Sequence, residues 1–170
     1  PHREEMKRIG RGKAQRRWEV PPQQPALVYD IAHNRLIVSA AVLQPPVLDM
    51  AQDAPSHYGA YGALVGHELS RSVDIKGRIV DAKGAVRTWW TAQDETAWND
   101  RGNRLNAQYS AYDYPNVPGK KVNGALSRDE NAADLAGIEL AWDALITAQP
   151  TLAVEGKEAF FRGWAQLWRQ

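Results

Sequence analysis

Cysteine is absent from the 170 residues, which excludes disulfide bridges and thiolate metal sites. No apolar run approaches the roughly 18 residues that a membrane-spanning helix needs, so no membrane segment is expected. Charge of one sign is not in excess: 21 Lys and Arg stand against 20 Asp and Glu. The net charge of +1 is too small to drive the whole chain onto nucleic acid or acidic lipid. Internal repeats and low-complexity tracts are lacking as well. The sequence begins at Pro1, without an initiator methionine or signal peptide, and is expected to be a piece of a longer protein.

What is present is ordinary for a globular domain with a core: 44% apolar and 24% charged residues. Seven tryptophans are expected to supply core area rather than chemistry. Residues 1–17 carry seven Lys and Arg against two Glu. With no interleaved aromatics to stack on bases, they read as a solvated leader rather than a nucleic-acid arm. Val20 to Pro25 reads as an extended, proline-rich connector. The expected division is therefore a basic, proline-rich segment over 1–25 and one domain over 26–170.

Ala26–Ile31 and Arg35–Ala40 flank Ala32-His33-Asn34 as a β-hairpin, which Gln44-Pro45-Pro46 stops. Asp53 is expected to cap the next helix, with Pro55 in its first turn. Glycines 59, 62 and 66 each weaken that helix by about 1 kcal/mol relative to alanine. Their three- and four-residue spacing predicts a groove where another element approaches closely. Short extended pieces are expected around the turn Asp81 to Gly84. Thr91 caps a segment to about Tyr112, with Ala97, Trp98, Leu105 and Tyr109 on one side. A loop covers Tyr112 to Asn123. Ser127 to about Ala148 reads as a helix with Leu135, Ile138, Trp142, Leu145 and Ile146 as its apolar side. A linker around Pro150 to Gly156 leads to a last helix with Phe160, Phe161, Trp164, Leu167 and Trp168. The fold class is mainly α with a small β part (α+β).

Two spacings carry chemistry. His67-Glu68-Leu69-Ser70-Arg71 matches His-Glu-x-x-His except at its last position. In the intact motif two imidazoles four residues apart leave one helix face and close on one metal, and the glutamate takes a proton from the bound water. Arg71 puts a permanent cation at the second ligand position. About 60 residues on, Glu130 and Asp134 are also four apart. One of them could ligate a metal while the other holds an imidazole by its free N–H. The competing reading makes Ser127-Arg128-Asp129-Glu130 a capping box, with Glu130 serving only its own helix. His57 lies about 15 Å from His67 along a continuous helix, too far to share a metal, and is expected to face solvent or a partner. His2 and His33 are expected in solvent.

Several segments occur together and in order: Gln44-Pro45-Pro46, Tyr58-Gly59-Ala60, Gly66-His67-Glu68, Asp74, Trp89-Trp90, Val122-Asn123-Gly124, Glu130-Asn131-Ala132-Ala133-Asp134-Leu135 and Phe160-Phe161-Arg162-Gly163-Trp164-Ala165-Gln166. From about Lys7 onward the chain resembles the catalytic domain of the neprilysin and endothelin-converting-enzyme family of zinc metallopeptidases. The resemblance implies a zincin-like, thermolysin-type domain. It makes His67 the first zinc ligand, Glu68 the general base, Glu130 the third ligand and Asp134 the group that orients His67. It implies zinc as cofactor, a peptide as substrate or ligand, no nucleic acid, and an extracytoplasmic setting, such as a bacterial periplasm. A cap domain and a C-terminal segment bearing a histidine and an arginine would lie on a longer chain.

Three departures accompany the resemblance. Arg71 replaces the second histidine, and Ser72-Val73 replace the usual Gly-Phe or Gly-Ile. Ala26-Leu27-Val28 stands where an Asn-Ala-aromatic segment should bind substrate backbone. The sequence ends before the terminal segment, so the domain is expected to be truncated. Zinc sites of this kind need three protein ligands, and a guanidinium about 4 Å from the ion costs roughly 4 kcal/mol per unit charge pair at an effective dielectric near 20. Zinc is thus expected to bind weakly or not at all, with Arg71 reaching Glu68 or Glu130 instead. The chain reads as an impaired or inactive zinc metallopeptidase domain; the alternative is a pseudo-peptidase that binds peptides or a partner.

Overall fold

The computed structural model describes Met6 and residues 20–169. Apart from Met6, the basic leader and His2 lie outside the described residues. Strands β1 (Leu27–Asp30) and β2 (Arg35–Val38) form an antiparallel hairpin in the register Asp30↔Arg35, with Asn34 in the left-handed region closing the turn. Val20 to Pro25 is a turn rather than an extended connector: Gln24 N–H bonds the Pro21 carbonyl, and Pro22 accepts from Ala41. Bonds to the short turn after β2 hold this segment folded back.

The next helix runs as α1 (Ala54–His57), a π-helical turn (Tyr58–Gly62) and α2 (Ala63–Ser70). Asp53 caps it, accepting from Ser56 N at 2.9 Å. Those bonds from Ser56 hold the Asp53 carboxyl below its usual range. A depressed carboxylate pKa stabilises the fold above the unfolded value and stops doing so as pH falls through the folded one. We expect Asp53→Ala to cost about 1 kcal/mol at neutral pH. Urea titrations should show the deficit shrinking below pH 4, and an equal deficit at low pH would contradict this cap.

Thr91 and Asp94 form a reciprocal capping box for α3 (Ala92–Ser110). Trp98, Leu105 and Tyr109 are half-buried around buried Gly102, whereas Ala97 is exposed. The longest helix, α4 (Gly124–Ala148), is capped by Asn123, one turn before the expected start. Residues 150–156 are not a plain linker, because α5 (Pro150–Glu155) uses Pro150 in its first turn before α6 (Lys157–Leu167) begins. Between α2 and α3 the only regular pieces are a 3₁₀ turn (Gly77–Ile79) and the bridge Val80↔Val86.

The core is narrow. Ala63, Ala141, Leu145 and Phe160 form its buried cluster. On α4 the buried stripe is Ala133, Gly137, Ala141 and Leu145, while Leu135 and Ile146 are 50% and 41% exposed, contrary to expectation. The reason is backbone proximity. A Cβ on Gly66 would lie 2.7 Å from the Gly137 carbonyl oxygen, so glycine is required where α2 crosses α4. Large side chains are excluded from that crossing. None of the six described tryptophans is fully buried; the rings flank the core, as Trp142 does edge-on to Phe160 at 5.0 Å. No described helix is long and apolar enough to cross a membrane.

Candidate functional site

The crossing of α2 and α4 brings the two sequence motifs together. On α2, His67 is 13% exposed in its side chain, and Nδ1 lies 2.7 Å from Asp134 Oδ1 on α4. Because α4 starts at Gly124, Ser127 sits inside the helix and its hydroxyl accepts from Asn131. The capping-box reading of Glu130 is therefore wrong. Its carboxylate projects toward the other helix, with Oε2 3.6 Å from His67 Nε2. Glu68 Oε1 is 4.0 Å from the same nitrogen.

Arg71, the C-cap of α2, fills the middle of this group. Its Nη2 is 3.1 Å from His67 Nε2 and donates to Glu130 Oε2. Its Nη1 donates to Asp74 Oδ2 at 3.2 Å. Burial works against the charge on Arg71. The hydrogen bond to Asp74 and the charge and hydrogen bond of Glu130 outweigh it and hold the guanidinium above its ordinary pKa. The arginine is thus a fixed cation at every accessible pH.

Glu68 is not a partner of Arg71. Its Oε2 accepts the backbone N–H of Tyr29 at 2.9 Å, tying the hairpin to α2. No feature of residues 26–31 signals that contact, because it depends on how the hairpin lies across the helix. Asp74 is the other residue whose part the sequence left unassigned. It is 3% exposed and accepts from Lys76 N and Gly77 N at 2.7 and 2.8 Å. The order Asp-Ile-Lys-Gly is the pattern of an aspartate-capped turn and could have pointed to it.

His57 is not free: Nε2 lies 2.6 Å from the Asp49 carbonyl oxygen, on a half-buried side chain. His33 is exposed beside Asp30 at 2.8 Å. Among the described residues no group of three or more His, Cys, Asp or Glu side chains is arranged to hold a metal ion. The donors facing one another are His67 and Glu130, and a guanidinium stands between them.

Comparison with known proteins gives this geometry its context. The sequence model of peptidase family M13 matches residues 27–170. The chain belongs to peptidase family M13. An endothelin-converting enzyme homologue of Locusta migratoria is 32% identical over 161 residues, 89% of this chain and 22% of the relative. Human endothelin-converting enzyme 1 is 31% identical over 160 residues, 89% of this chain and 20% of that protein. Among solved structures, Mycobacterium tuberculosis zinc metalloprotease ZMP1 in complex with inhibitor superposes with a TM-score of 0.83 at 32% identity. That match covers 99% of this chain and 27% of ZMP1. PepO from Lactobacillus rhamnosis matches at 0.75 and 36% identity, over 89% of this chain and 23% of PepO. The chain thus spans about a fifth of the curated M13 relatives it matches. Its mainly helical architecture with one small sheet is that of an M13 zincin-like domain.

Proposed function

We propose that this M13 domain descends from a zinc-dependent peptide hydrolase and that Arg71 leaves peptide hydrolysis impaired or absent. The observation that carries this reading is the Nη2–Nε2 approach of 3.1 Å: the lone pair with which His67 would bind zinc faces a fixed cation. With Arg71 in place the residues do not fit the metal. His67 and Glu130 supply two donors where three are needed, and the cation adds repulsion to the missing bond. In this reading Asp134 orients His67, and Glu68 is the vestigial base. Zinc, which the family implies, binds weakly or not at all. The domain extends over 26–170 and belongs to a longer chain with a cap domain and a terminal segment. We place the protein outside the cytoplasm, in a bacterial periplasm, on family resemblance alone.

A second reading is a binding module that holds peptides without cutting them. It is favoured by the hairpin: among the described residues β1 pairs on one side only, with β2, and its other edge faces the element bearing Glu68. Such an edge can take an extended peptide as an added strand. An assay of unstructured peptides with and without added zinc separates the two readings from an intact enzyme. We expect no zinc-dependent cleavage. Zinc-dependent turnover at the rate of an intact M13 peptidase that disappears in Glu68→Gln would overturn both readings.

A further inference from the structure

On the side of the hairpin–helix junction beyond Arg71, a cavity of about 430 Å³ opens between the hairpin tip and residues 80–89. That volume falls in the range of small-ligand sites. Its apolar lining includes Tyr29, Ile31, Val73, Val80 and Trp89. Val73 and Trp89 are 53% and 39% exposed, so this apolar surface is open to solvent rather than sealed in the core. The indole is fixed, because Trp89 Nε1 donates to the Gly77 carbonyl at 3.1 Å.

The polar groups of the lining are satisfied by the protein, with one exception. Tyr29 Oη donates to Asn34 Oδ1, Asn34 Nδ2 to the Ala82 carbonyl, and Ser72 Oγ to the Leu69 carbonyl. Asp81 Oδ1 accepts from Lys83 N and Ala85 N, which fixes the carboxylate in its turn. Its Oδ2 takes Arg87 Nε at 2.6 Å, and that bond, with those from the turn, holds the Asp81 carboxyl below its usual range. Arg87 is thereby anchored through Nε alone. Among the described residues neither of its terminal amino groups has a partner. A guanidinium held this way presents two N–H groups in the geometry that grips a carboxylate from both oxygens.

We propose that this cavity binds the carboxy-terminal residue of a peptide, with an apolar or aromatic side chain against Val73, Val80 and Trp89 and the terminal carboxylate on Arg87. The cavity adjoins the Arg71 cluster through Tyr29 and Ser72, but none of His67, Glu68, Arg71, Glu130 and Asp134 lines it, and nothing in the proposal depends on whether zinc binds there. Asp81 partly offsets the charge of Arg87, so affinity in the millimolar range is expected, on the order of −4 kcal/mol.

The test is ligand-observed NMR titration of the chain with N-acetyl-phenylalanine and with its carboxamide. The acid should bind at least about tenfold tighter than the amide, the discrimination of a charge-assisted pair over a neutral one. Arg87→Gln should erase that preference, and Val73→Phe, which fills the apolar side, should weaken both ligands. Arg87 is 64% exposed in its side chain, so its replacement is not expected to disturb folding, and circular dichroism checks this. Equal binding of acid and amide, a preference that survives Arg87→Gln, or no binding of the acid at about 20 mM would each overturn the proposal.

Discussion

Arg71→His is expected to raise the zinc affinity of this chain by at least about a hundredfold, the upper range for altering a single group around a bound metal. Two effects act together. The substitution removes a cation that repels the ion by roughly 4 kcal/mol per unit charge pair at about 4 Å. It also supplies a second imidazole four residues from the first, on the same helix face. The metal-free variant should be less stable than the parent. Asp74, 3% exposed, keeps its bonds to Lys76 and Gly77 but loses Arg71, and Glu130 loses its partner. The deficit should be about 1–3 kcal/mol, near the lower end because the Glu130 side chain is 60% exposed. Thermal melts with and without zinc read both effects: zinc should stabilise Arg71→His and leave the parent unchanged. If zinc moves both melting curves alike, Arg71 is not what keeps the metal out.

Gly137→Ala should have a large effect on the fold itself. A Cβ at 137 would lie 2.4 Å from the Ala63 carbonyl oxygen and 2.6 Å from the backbone nitrogen of His67. Both are backbone atoms of α2 and cannot swing aside, so the two helices must separate. Overpacking of this kind costs about 3 kcal/mol, a large part of the roughly 5–15 kcal/mol that a domain has. For a chain of this size that is a fall in melting temperature of about 10 °C. The separation would also stretch the 2.7 Å link between His67 and Asp134. Gly62 supplies the control. Its added Cβ meets nothing closer than 3.5 Å, the Ala141 methyl. Gly62→Ala should therefore be neutral or stabilising by up to about 1 kcal/mol. Equal destabilisation by both substitutions would mean that helix flexibility, not the tight crossing, decides these positions.

The contrast between these glycines also shows what could be read in the sequence. The caps at Asp53 and Thr91 were legible because each depends on a bond only three residues long. So was the hairpin, whose turn places Asn34 in the left-handed region that asparagine tolerates. The start of α4 was misread. Ser127-x-x-Glu130 mimics a capping box, while Asn123-Gly124 looks like more of the loop before it. The inward side of α4 was partly misread for another reason. Apolar periodicity finds leucines and isoleucines, but a crossing this close selects Ala133, Gly137 and Ala141 and leaves Leu135 outside.

At the site, the pairing of His67 with Asp134 followed from family resemblance, whereas charge alone left Arg71 a choice between Glu68 and Glu130, and it takes Glu130. The bond from Tyr29 N–H to Glu68 did not, since it joins residues 39 apart through a backbone group. Nor did the burial of Asp74 under the guanidinium. The tryptophans were read as core area because size alone predicts burial; Trp142 and Trp164 pack against the buried cluster without being sealed in it, and Phe160 is the ring that fills it.

The most direct measurement is the metal content of the purified, unaltered chain after equilibration with one equivalent of zinc and removal of free ion, read by plasma mass spectrometry. With Arg71 seated between His67 and Glu130, occupancy should stay below about one-tenth of an ion per chain. An occupancy near one ion per chain that His67→Ala abolishes would contradict the replacement of zinc by arginine.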